Sequence, residues 1–421
     1  MSRGYQVRVG MRIRLVLVAL ALAAGGAVAS APAGAAEIGP EDDFCAAANA
    51  LPPGGELVLR PGDYRGPCTI VKGGSPGAPV VIRAADLQHR PHLVYTGRLA
   101  NVLDVKADHV TIRGLAFGPT SRDADGIRVF SRADVVIEEC TFTEVGGIAV
   151  AATHNSIRGL VVRRNRIERS ASTGMYFGCH EGVRCVMSGL VVERNFIRTI
   201  RAIEPEIGYG LQVKLNSSGV IRDNVIIDTK GPGIMVYGSR DLLSRNVVER
   251  NFVMGSQTSA GIVVGGGPAL VRNNISVQNR GAGIGLEDYH GRGLLRSIVI
   301  GHNTLYRNLD GGVTMAPEAR ARDVAIVNNA VHTRQGASTV PKGRMDVELA
   351  GNVDCTWALC FANAEVLDFS PVEGSLLRGP GSMRGLDWVP ADDYFGTRRT
   401  LPPVRGAIQA GAGPIDIGPK P

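Results

Sequence analysis

Lysine is scarce in this sequence, which has 46 lysines and arginines together but only 6 lysines. Long apolar runs are also rare: the longest, LVLVALALAAGGAVA at 15–29, is too short and too rich in small residues to predict a membrane span. No segment of about 10 to 15 residues with helical periodicity separates the apolar stretches, which excludes a Rossmann fold or an α/β barrel. Aromatic residues make up 5% of the chain, which neither favours nor excludes glycan binding.

The N-terminal segment has the pattern of a secretory signal peptide. Four arginines lie within its first 14 residues, the apolar run follows, and the small residues APAGAA close it. We predict cleavage after Ala35 or Ala36 and a secreted or periplasmic protein. Loss of residues 1–35 removes four arginines and no acid, so the formal charge falls from +7 by 4, to +3. The mature chain is only mildly basic, and nothing in it resembles a nucleic-acid-binding arm or patch.

Seven cysteines in an exported chain should mostly pair. Three pairs are close in sequence and are predicted to be disulfides: Cys45 with Cys68, Cys179 with Cys185, and Cys355 with Cys360. Cys140 is left over, and its place at the end of the strand VVIEEC predicts a small buried side chain instead of a reactive thiol.

Internal repeats dominate the chain from about residue 100 to 333. One repeated unit is glycine, an apolar residue, any residue, and a second apolar residue; it begins at Gly126, Gly147, Gly174, Gly210, Gly233, Gly261, Gly283 and Gly312. A second apolar strand follows each time; after Gly126 it ends in Cys140, and after the other seven glycines it ends in asparagine, at Asn165, Asn195, Asn224, Asn251, Asn274, Asn303 and Asn329. Asparagine suits a corner because it tolerates the left-handed backbone, and stacked corners can form a buried ladder.

Short strands with this period predict an all-β protein, a single-stranded right-handed parallel β-helix. Residues 36–100 would form an N-terminal cap and the first coils, with a short helix over residues 41–51. The repeat core would span 101–335, and 336–421 would be an irregular C-terminal cap and tail. We expect a monomer.

The alternation of each strand predicts which side chains face outward. The second residue after each glycine gives one outward row: Arg128, Ala149, Tyr176, Gln212, Met235, Val263, Gly285 and Thr314. The fourth gives another: Phe130, Ala151, Gly178, Lys214, Tyr237, Gly265, Glu287 and Ala316. Coils lie about 4.8 Å apart, so Lys214 should lie beside Tyr237, in a trough left by the small residues around them.

The longest insertions in the repeat flank this position. Loops on a rigid scaffold often carry binding groups. Gln212 and Tyr176 lie in the neighbouring row, and the insertions add further candidates for substrate binding: His180, Arg184, Tyr209, Glu287 and His290. Glu181, Glu204 and Glu206 lie in the same insertions.

A lysine and a tyrosine in a groove suit proton abstraction at C5 of a uronic-acid sugar. The reaction needs a base and a positive group that neutralises the sugar carboxylate. Lysine can lose its proton when burial or a nearby cation lowers its pKa, whereas arginine cannot. Lys214 would be the base and Tyr237 the acid or a second base. Arg240, Arg222, Arg184 or a bound cation would hold the carboxylate.

These coils resemble those of secreted pectin-lyase-like β-helix proteins. The segment KLNSSGVIRDNVI is similar in layout to the lysine-bearing coil of the polysaccharide lyase family that includes chondroitinase B and several alginate lyases. The resemblance implies that Lys214 is the base. The family's arginine, one coil later, is replaced here by Tyr237, with Arg240 three residues further on. The histidine signature of β-helix mannuronan epimerases and the aspartate patterns of polygalacturonases and pectate lyases are not found.

The sequence therefore predicts a polysaccharide lyase that cleaves an acidic, uronate-containing polymer. Three alternatives stay open: a C5-epimerase, a non-catalytic glycan-binding or envelope-associated β-helix, and a hydrolase that uses Glu204, Glu206 or Glu287. The sequence identifies no cofactor with certainty, and Glu287 and Asp288 could bind Ca²⁺ together with carbonyl oxygens. Lys106 falls in the same outward row as Lys214, so a lysine at this place can also be a solvated surface residue.

Overall fold

The protein, seen in a computed structural model, is described over residues 35–179, 184–202, 207–241, 244–334, 340–341, 346–383 and 388–419. Within these ranges the strands form three parallel sheets, which each coil visits in turn, and one separate antiparallel hairpin. The predicted signal peptide lies outside the described residues except for Ala35. None of the described helices is long and apolar enough to cross a membrane.

The three sheets are built from short strands stacked in chain order. The first sheet has 10 described strands: Cys68–Ile70, Leu103–Val105, Ile127–Val129, Val150–Ala152, Met175–Phe177, Leu211–Val213, Ile234–Val236, Ile262–Val264, Ile284–Leu286 and Val313–Met315. The second has 14: Ala36–Ile38, Glu56–Leu59, Val80–Ala84, Val110–Arg113, Val135–Glu138, Ile157–Arg158, Val161–Arg163, Met187–Glu193, Ser217–Arg222, Asn246–Glu249, Ala269–Arg272, Arg296–Gly301, Arg322–Val327 and Val347–Ala350. The third has 12: Gly62–Arg65, Pro91–Val94, Ala116–Phe117, Thr141–Thr143, Arg166–Glu168, Phe196–Ile200, Val225–Thr229, Phe252–Met254, Ile275–Val277, Thr304–Asn308, Ala330–Thr333 and Val353–Asp354.

The interior of the coils is one continuous apolar core of Val, Ile, Leu and Phe side chains from all three sheets. In the strand Leu211–Val213, for example, both terminal side chains are fully buried in this core, and Gln212 lies on the other side of the sheet. Alternation along each strand therefore decides what is inside, as the sequence pattern predicted. The prediction of an all-β parallel β-helix is confirmed.

A buried ladder of asparagines forms the corner between the second and third sheets. Asn251 Oδ1 accepts hydrogen bonds from both the backbone N–H and the Nδ2 of Asn224, at 3.1 and 2.9 Å. Asn251 Nδ2 donates in turn to the carbonyl of Ile221, 2.9 Å away on the preceding coil. The same bonds recur at Asn165, Asn195, Asn224, Asn251, Asn274, Asn303, Asn329 and Asn352. The ladder and the sheets thus continue one coil beyond residue 335, to Asp354.

The conformation of these corners differs from the expectation in one respect. The residue with positive φ is the one that precedes each ladder asparagine, as at Arg250 (φ 53°) and Asn273 (φ 54°), and not the asparagine itself. The asparagine is selected for its side-chain bonds, since its amide presents an acceptor and two donors at one place. The preceding residue makes the turn.

The C-terminal tail covers the late corners. Asn273 Nδ2 donates to the carbonyl of Asp392 at 2.6 Å, and His302 Nδ1 lies 3.1 Å from the carbonyl of Val404. The guanidinium of Arg399, only 7% exposed, donates to Asn273 Oδ1 at 2.7 Å. Corners on earlier coils instead carry Arg164, Arg194 and other charged residues. The tail thus makes hydrogen bonds at the neutral turn residues Asn273 and His302, and it also lies against Arg194 and Arg250.

The N-terminal end is closed by the helix Phe44–Ala50, shorter than the predicted 41–51 because Asp43 caps it by accepting a bond from the N–H of Ala46. The predicted disulfides Cys45–Cys68, Cys179–Cys185 and Cys355–Cys360 are all formed. Three disulfides fit an oxidising compartment outside the cytoplasm. Cys140 is a free, buried cysteine, and burial raises the pKa of its thiol to about 12.

One predicted register is wrong. Arg128 pairs with Ala151, and Ala151 pairs with Tyr176, so the second outward position on this coil is Ala151 and not Ala149. Ala149 is buried and occupies the place that glycine has on other coils. Gly147 lies two residues earlier, where its N–H donates to the carbonyl of Ala124 at 3.0 Å. Gly147 therefore does not belong to the repeat, and Ala149 takes the place of the repeat glycine on this coil.

We predict that Asn251→Ala destabilises the protein by about 3 kcal/mol, because it leaves two buried donors of Asn224 without an acceptor. Denaturant unfolding followed by circular dichroism measures the change. Asn363→Ala, at an exposed asparagine, is the matched control and should have little effect. Equal stability of the two variants would contradict a structural role for the ladder.

Candidate functional site

Lys214 follows the strand Leu211–Val213 of the first sheet, and its backbone is fixed by a bond from its N–H to the carbonyl of Phe177 at 2.8 Å. Gly178 is the neighbour on the preceding coil. A Cβ at that glycine would lie 3.0 Å from the Cβ of Lys214 and would collide with Ser217 Oγ, and Gly178 also has a φ of +93°. The glycine therefore leaves the space that the lysine side chain occupies.

The ammonium group of Lys214 packs against two tyrosine rings. Nζ lies 4.4 Å from the ring centroid of Tyr237 and 5.8 Å from that of Tyr176. The side chain is partly buried, and within the described residues no carboxylate lies within ion-pair distance of Nζ. Burial, together with the positive charge of Arg292, lowers the pKa of Lys214. The tyrosine rings favour the charged ammonium group. The net effect is nevertheless a lowered pKa, so Lys214 loses its proton more easily.

Tyr237 is adjacent to Lys214, as the register predicted, but it is only 1% exposed. Its hydroxyl accepts a bond from Gln212 Nε2 at 2.9 Å and lies 3.4 Å from the hydroxyl of Tyr209. The ring of Tyr289 packs edge-on against it, with centroids 4.9 Å apart. Burial and the neighbouring Tyr209 raise the pKa of Tyr237 far above its ordinary value. Its proton is therefore firmly held.

A small apolar cluster outside the first sheet explains this burial. It joins outward residues of the strands to loop residues and consists of Tyr209, Leu215, Met235, Tyr237, Ala260, Val263, Ala282 and Leu294, with Tyr289 partly buried against it. The second outward row does face away from the main core, but at Gln212, Met235 and Val263 it is covered. The open trough predicted around Tyr237 is thus closed, because the segment 287–294 folds over it.

Arg292 is a site residue that the sequence reasoning missed. Its guanidinium lies 5.6 Å from the ring centroid of Tyr237 and 5.0 Å from that of Tyr289, and its Nε donates to the carbonyl of Tyr289 at 2.7 Å. Burial lowers the pKa of Arg292, and the charge of Arg240 adds to the effect. The sequence signal for Arg292 is its place in the insertion EDYHGRG, beside Glu287, Asp288 and His290.

The other predicted arginines lie in different places. Arg240 is exposed just after Tyr237, and its N–H donates to Asn216 Oδ1 at 3.1 Å. Arg184 is exposed next to the Cys179–Cys185 disulfide. Arg222 ends a strand of the second sheet and pairs with Glu193 at 2.7 Å. The strand that Arg222 ends begins at Ser217, three residues after Lys214, and is about 17 Å long, so Arg222 is too far away to hold a sugar carboxylate at Lys214.

The remaining candidates lie at the rim or outside the described residues. Glu287 is exposed, and partial desolvation raises the pKa of its carboxyl. His290 is exposed, with its ring centroid 4.3 Å from that of Tyr289. Asp288 Oδ1 accepts a bond from the N–H of Gly293. His180, Glu181, Glu204 and Glu206 lie outside the described residues.

In the part of the chain that the structure describes, no group of three or more His, Cys, Asp or Glu residues could hold a metal ion. The site is instead a set of cations and phenols: Lys214, Arg292 and the exposed Arg240, with Tyr176 partly buried beside the lysine. Chemically, such a site can bind a carboxylate and can supply an uncharged amine as a base.

Comparison with known proteins agrees with the fold. The family model described as "Right handed beta helix region" matches residues 182–353. Among solved structures, pectate lyase Pel9A has a TM-score of 0.50 at 12% identity, covering 90% of this chain and 96% of its own. XylC, solved in complex with xylose, has a TM-score of 0.61 at 10% identity, covering 90% and 99%.

The family-6 alginate lyase AlyGC has a TM-score of 0.48 at 16% identity, covering 76% of this chain and 51% of its own. No curated protein sequence matches the chain. At these identities Pel9A and XylC show the fold alone, a right-handed parallel β-helix.

We predict that Lys214 titrates below the usual lysine pKa of about 10.4. With only 6 lysines, NMR of ¹⁵N-lysine-labelled protein can resolve its Nζ, and Lys214→Arg assigns the signal. Arg292→Gln should raise the pKa of Lys214, because it removes a positive charge that opposes protonation. Arg240→Gln is the matched control and should change it less. A Lys214 pKa in the ordinary range, or equal effects of the two arginine variants, would contradict this electrostatic account.

Proposed function

We propose that the protein is an exported carbohydrate-active enzyme that cleaves a uronic-acid-containing polysaccharide by β-elimination. The observation that carries the proposal is Lys214, a partly buried lysine without a carboxylate partner among the described residues, whose pKa is lowered by burial and by Arg292. A solvated surface lysine would be neither partly buried nor lowered in pKa by burial. The disulfides support export.

In the proposed reaction the neutral Nζ of Lys214 removes the proton at C5 of the uronate. Arg292 and Arg240 bind the sugar carboxylate and stabilise the negative charge that develops on it. The electron pair at C5 then forms the C4–C5 double bond as the glycosidic C4–O bond breaks. The leaving oxygen takes up a proton, and the product carries an unsaturated uronate at its new end.

Tyr237 has a different role in this proposal from the one first predicted. Its hydroxyl is buried and already bonded to Gln212, so it is a positioning residue whose ring holds the Lys214 side chain. Tyr176 is the more accessible phenol beside the lysine and is the proposed acid for the leaving oxygen. C5-epimerisation would use the same base and would differ in the return of a proton to the opposite face.

A non-catalytic glycan-binding role is the second candidate. The observation that favours it over catalysis is the burial of Tyr237, whose hydroxyl is bonded to Gln212 and does not face a polymer on the surface.

We expect the mature protein, residues 36–421, to produce unsaturated uronate, followed by its ultraviolet absorbance, on at least one of alginate, glucuronan, pectate or a glycosaminoglycan. Lys214→Arg should lower kcat at least about 100-fold, because it keeps the charge but removes the base. Lys106→Arg, at the exposed lysine in the same outward row, is the matched control and should retain activity. No product, unchanged polymer length and unchanged epimer content on every polymer would rule out both enzymatic functions and favour binding alone.

The two tyrosines should respond differently to removal of the hydroxyl. Tyr176→Phe is expected to lower kcat about 100-fold by removing the acid. Tyr237→Phe keeps the ring next to Lys214 and should change kcat little, whereas Tyr237→Ala should lower it and raise the pH at which activity is half-maximal. A large loss in Tyr237→Phe together with a small one in Tyr176→Phe would reverse the assignment.

A further inference from the structure

A groove of about 1190 Å³ lies along the corner that connects the third sheet to the first. It is lined by five cationic side chains: Arg201, Lys230, Arg280, Arg307 and Arg334. Lys214 follows strands of the first sheet, whereas these residues precede them, so the groove and the Lys214 site lie at opposite ends of those strands. Ligand binding in this groove is therefore independent of the function proposed for Lys214.

The backbone hydrogen bonds place the groove residues in one row, one per coil. The N–H of Lys230 donates to the carbonyl of Ile200, beside Arg201, and the N–H of Arg280 donates to that of Ser256, beside Gln257. The row reads Arg201, Lys230, Gln257, Arg280, Leu309 and Arg334. Neighbouring coils are about 4.8 Å apart, so these six positions span about 24 Å. The distance of about 4.8 Å between neighbouring coils is close to the length of one pyranose residue in an extended chain.

The positive charge of the groove is only partly compensated. Arg201 lies 3.7 Å from Asp228, and Arg307 pairs with Glu365 at 2.6 Å. Arg280 and Arg334 are exposed, and no ion pair is found for them within the described residues. The uncompensated charges therefore lie in the half of the row that is nearer the C-terminus.

An exposed tryptophan extends this half of the row. The N–H of Cys355 donates to the carbonyl of Val331, and the N–H of Thr333 to Thr356 Oγ1, so continuing the register brings Trp357 one coil beyond Arg334. Trp357 is 78% exposed and lies in the loop closed by the Cys355–Cys360 disulfide. The disulfide restrains the loop, and the exposed indole ring of Trp357 offers a flat surface on which a sugar ring can stack.

We propose that this groove is a second polysaccharide-binding site, in which an acidic chain lies parallel to the axis of the solenoid. Its carboxylates or sulfates pair with Arg280 and Arg334, and a sugar ring at one end stacks on Trp357. The uncharged lining residues, Gln257, Thr258 and Gln278, suit sugar hydroxyls. A single-stranded nucleic acid would need several interleaved aromatic residues for its bases, and the groove lining contains none.

The test measures binding and not turnover. The full mature chain carrying Lys214→Arg is titrated with size-defined oligogalacturonate and oligoalginate, with a neutral dextran of equal length, and with single-stranded DNA of equal charge. R280Q/R334Q should weaken binding of the acidic glycans about tenfold and reduce the slope of log Kd against log salt by about 1.5. W357A should weaken binding without a change in slope. R98Q/R132Q, which removes two exposed arginines elsewhere, should bind as the parent does.

Unchanged affinity for the acidic glycans in R280Q/R334Q would contradict binding in the groove. An equal loss of affinity in R98Q/R132Q would contradict it as well. DNA binding as tight as glycan binding would overturn the assignment to a polysaccharide. Equal thermal unfolding temperatures of all variants exclude misfolding as the cause of lost binding. Turnover by the unmutated chain is assayed separately, so a protein that binds without cleaving would disprove the lyase and leave the groove standing.

Discussion

The asparagine corner is the interaction on which the rest of the molecule depends. One Oδ1 accepts two hydrogen bonds from the preceding coil, and the Nδ2 of the same residue returns one to a carbonyl of that coil. Because these bonds are buried along most of the ladder, a slip of one residue would leave several polar groups unsatisfied, at a cost of about 1 to 3 kcal/mol each. The ladder therefore fixes the register of the coils. Only with that register fixed do outward residues on successive coils form straight rows.

Both positively charged regions follow from this geometry, but they use charge in different ways. At Lys214 the protein brings a lysine close to Arg292, away from carboxylates and partly out of water, which favours the neutral amine. In the groove the arginines stay exposed and charged. The first arrangement suits proton transfer, and the second suits reversible attraction of a polyanion, which salt screens.

Much of the fold could be predicted because it repeats. The alternation in GLQV and the recurring asparagine gave the sheets, the core and the neighbourhood of Lys214 and Tyr237. Ala149 was misplaced because Gly147 imitates the repeat by chance. Arg292 and the cover over Tyr237 were not predictable in the same way, since they depend on the path of an insertion that no periodicity governs. The place of Trp357 next to Arg334 could not be predicted either, because it requires Asn352 to be assigned to the ladder and its coil to the solenoid.

The tail contacts at Asn273, His302 and Asn328 have a consequence for the order of assembly. During synthesis the early coils can stack as soon as they are made, because their corners end in charged residues that water solvates. The late corners receive their polar partners from Ser382, Asp392, Arg399 and Val404, which are made last. The late corners therefore gain these polar partners only after the tail, which is synthesised last, has folded back over them.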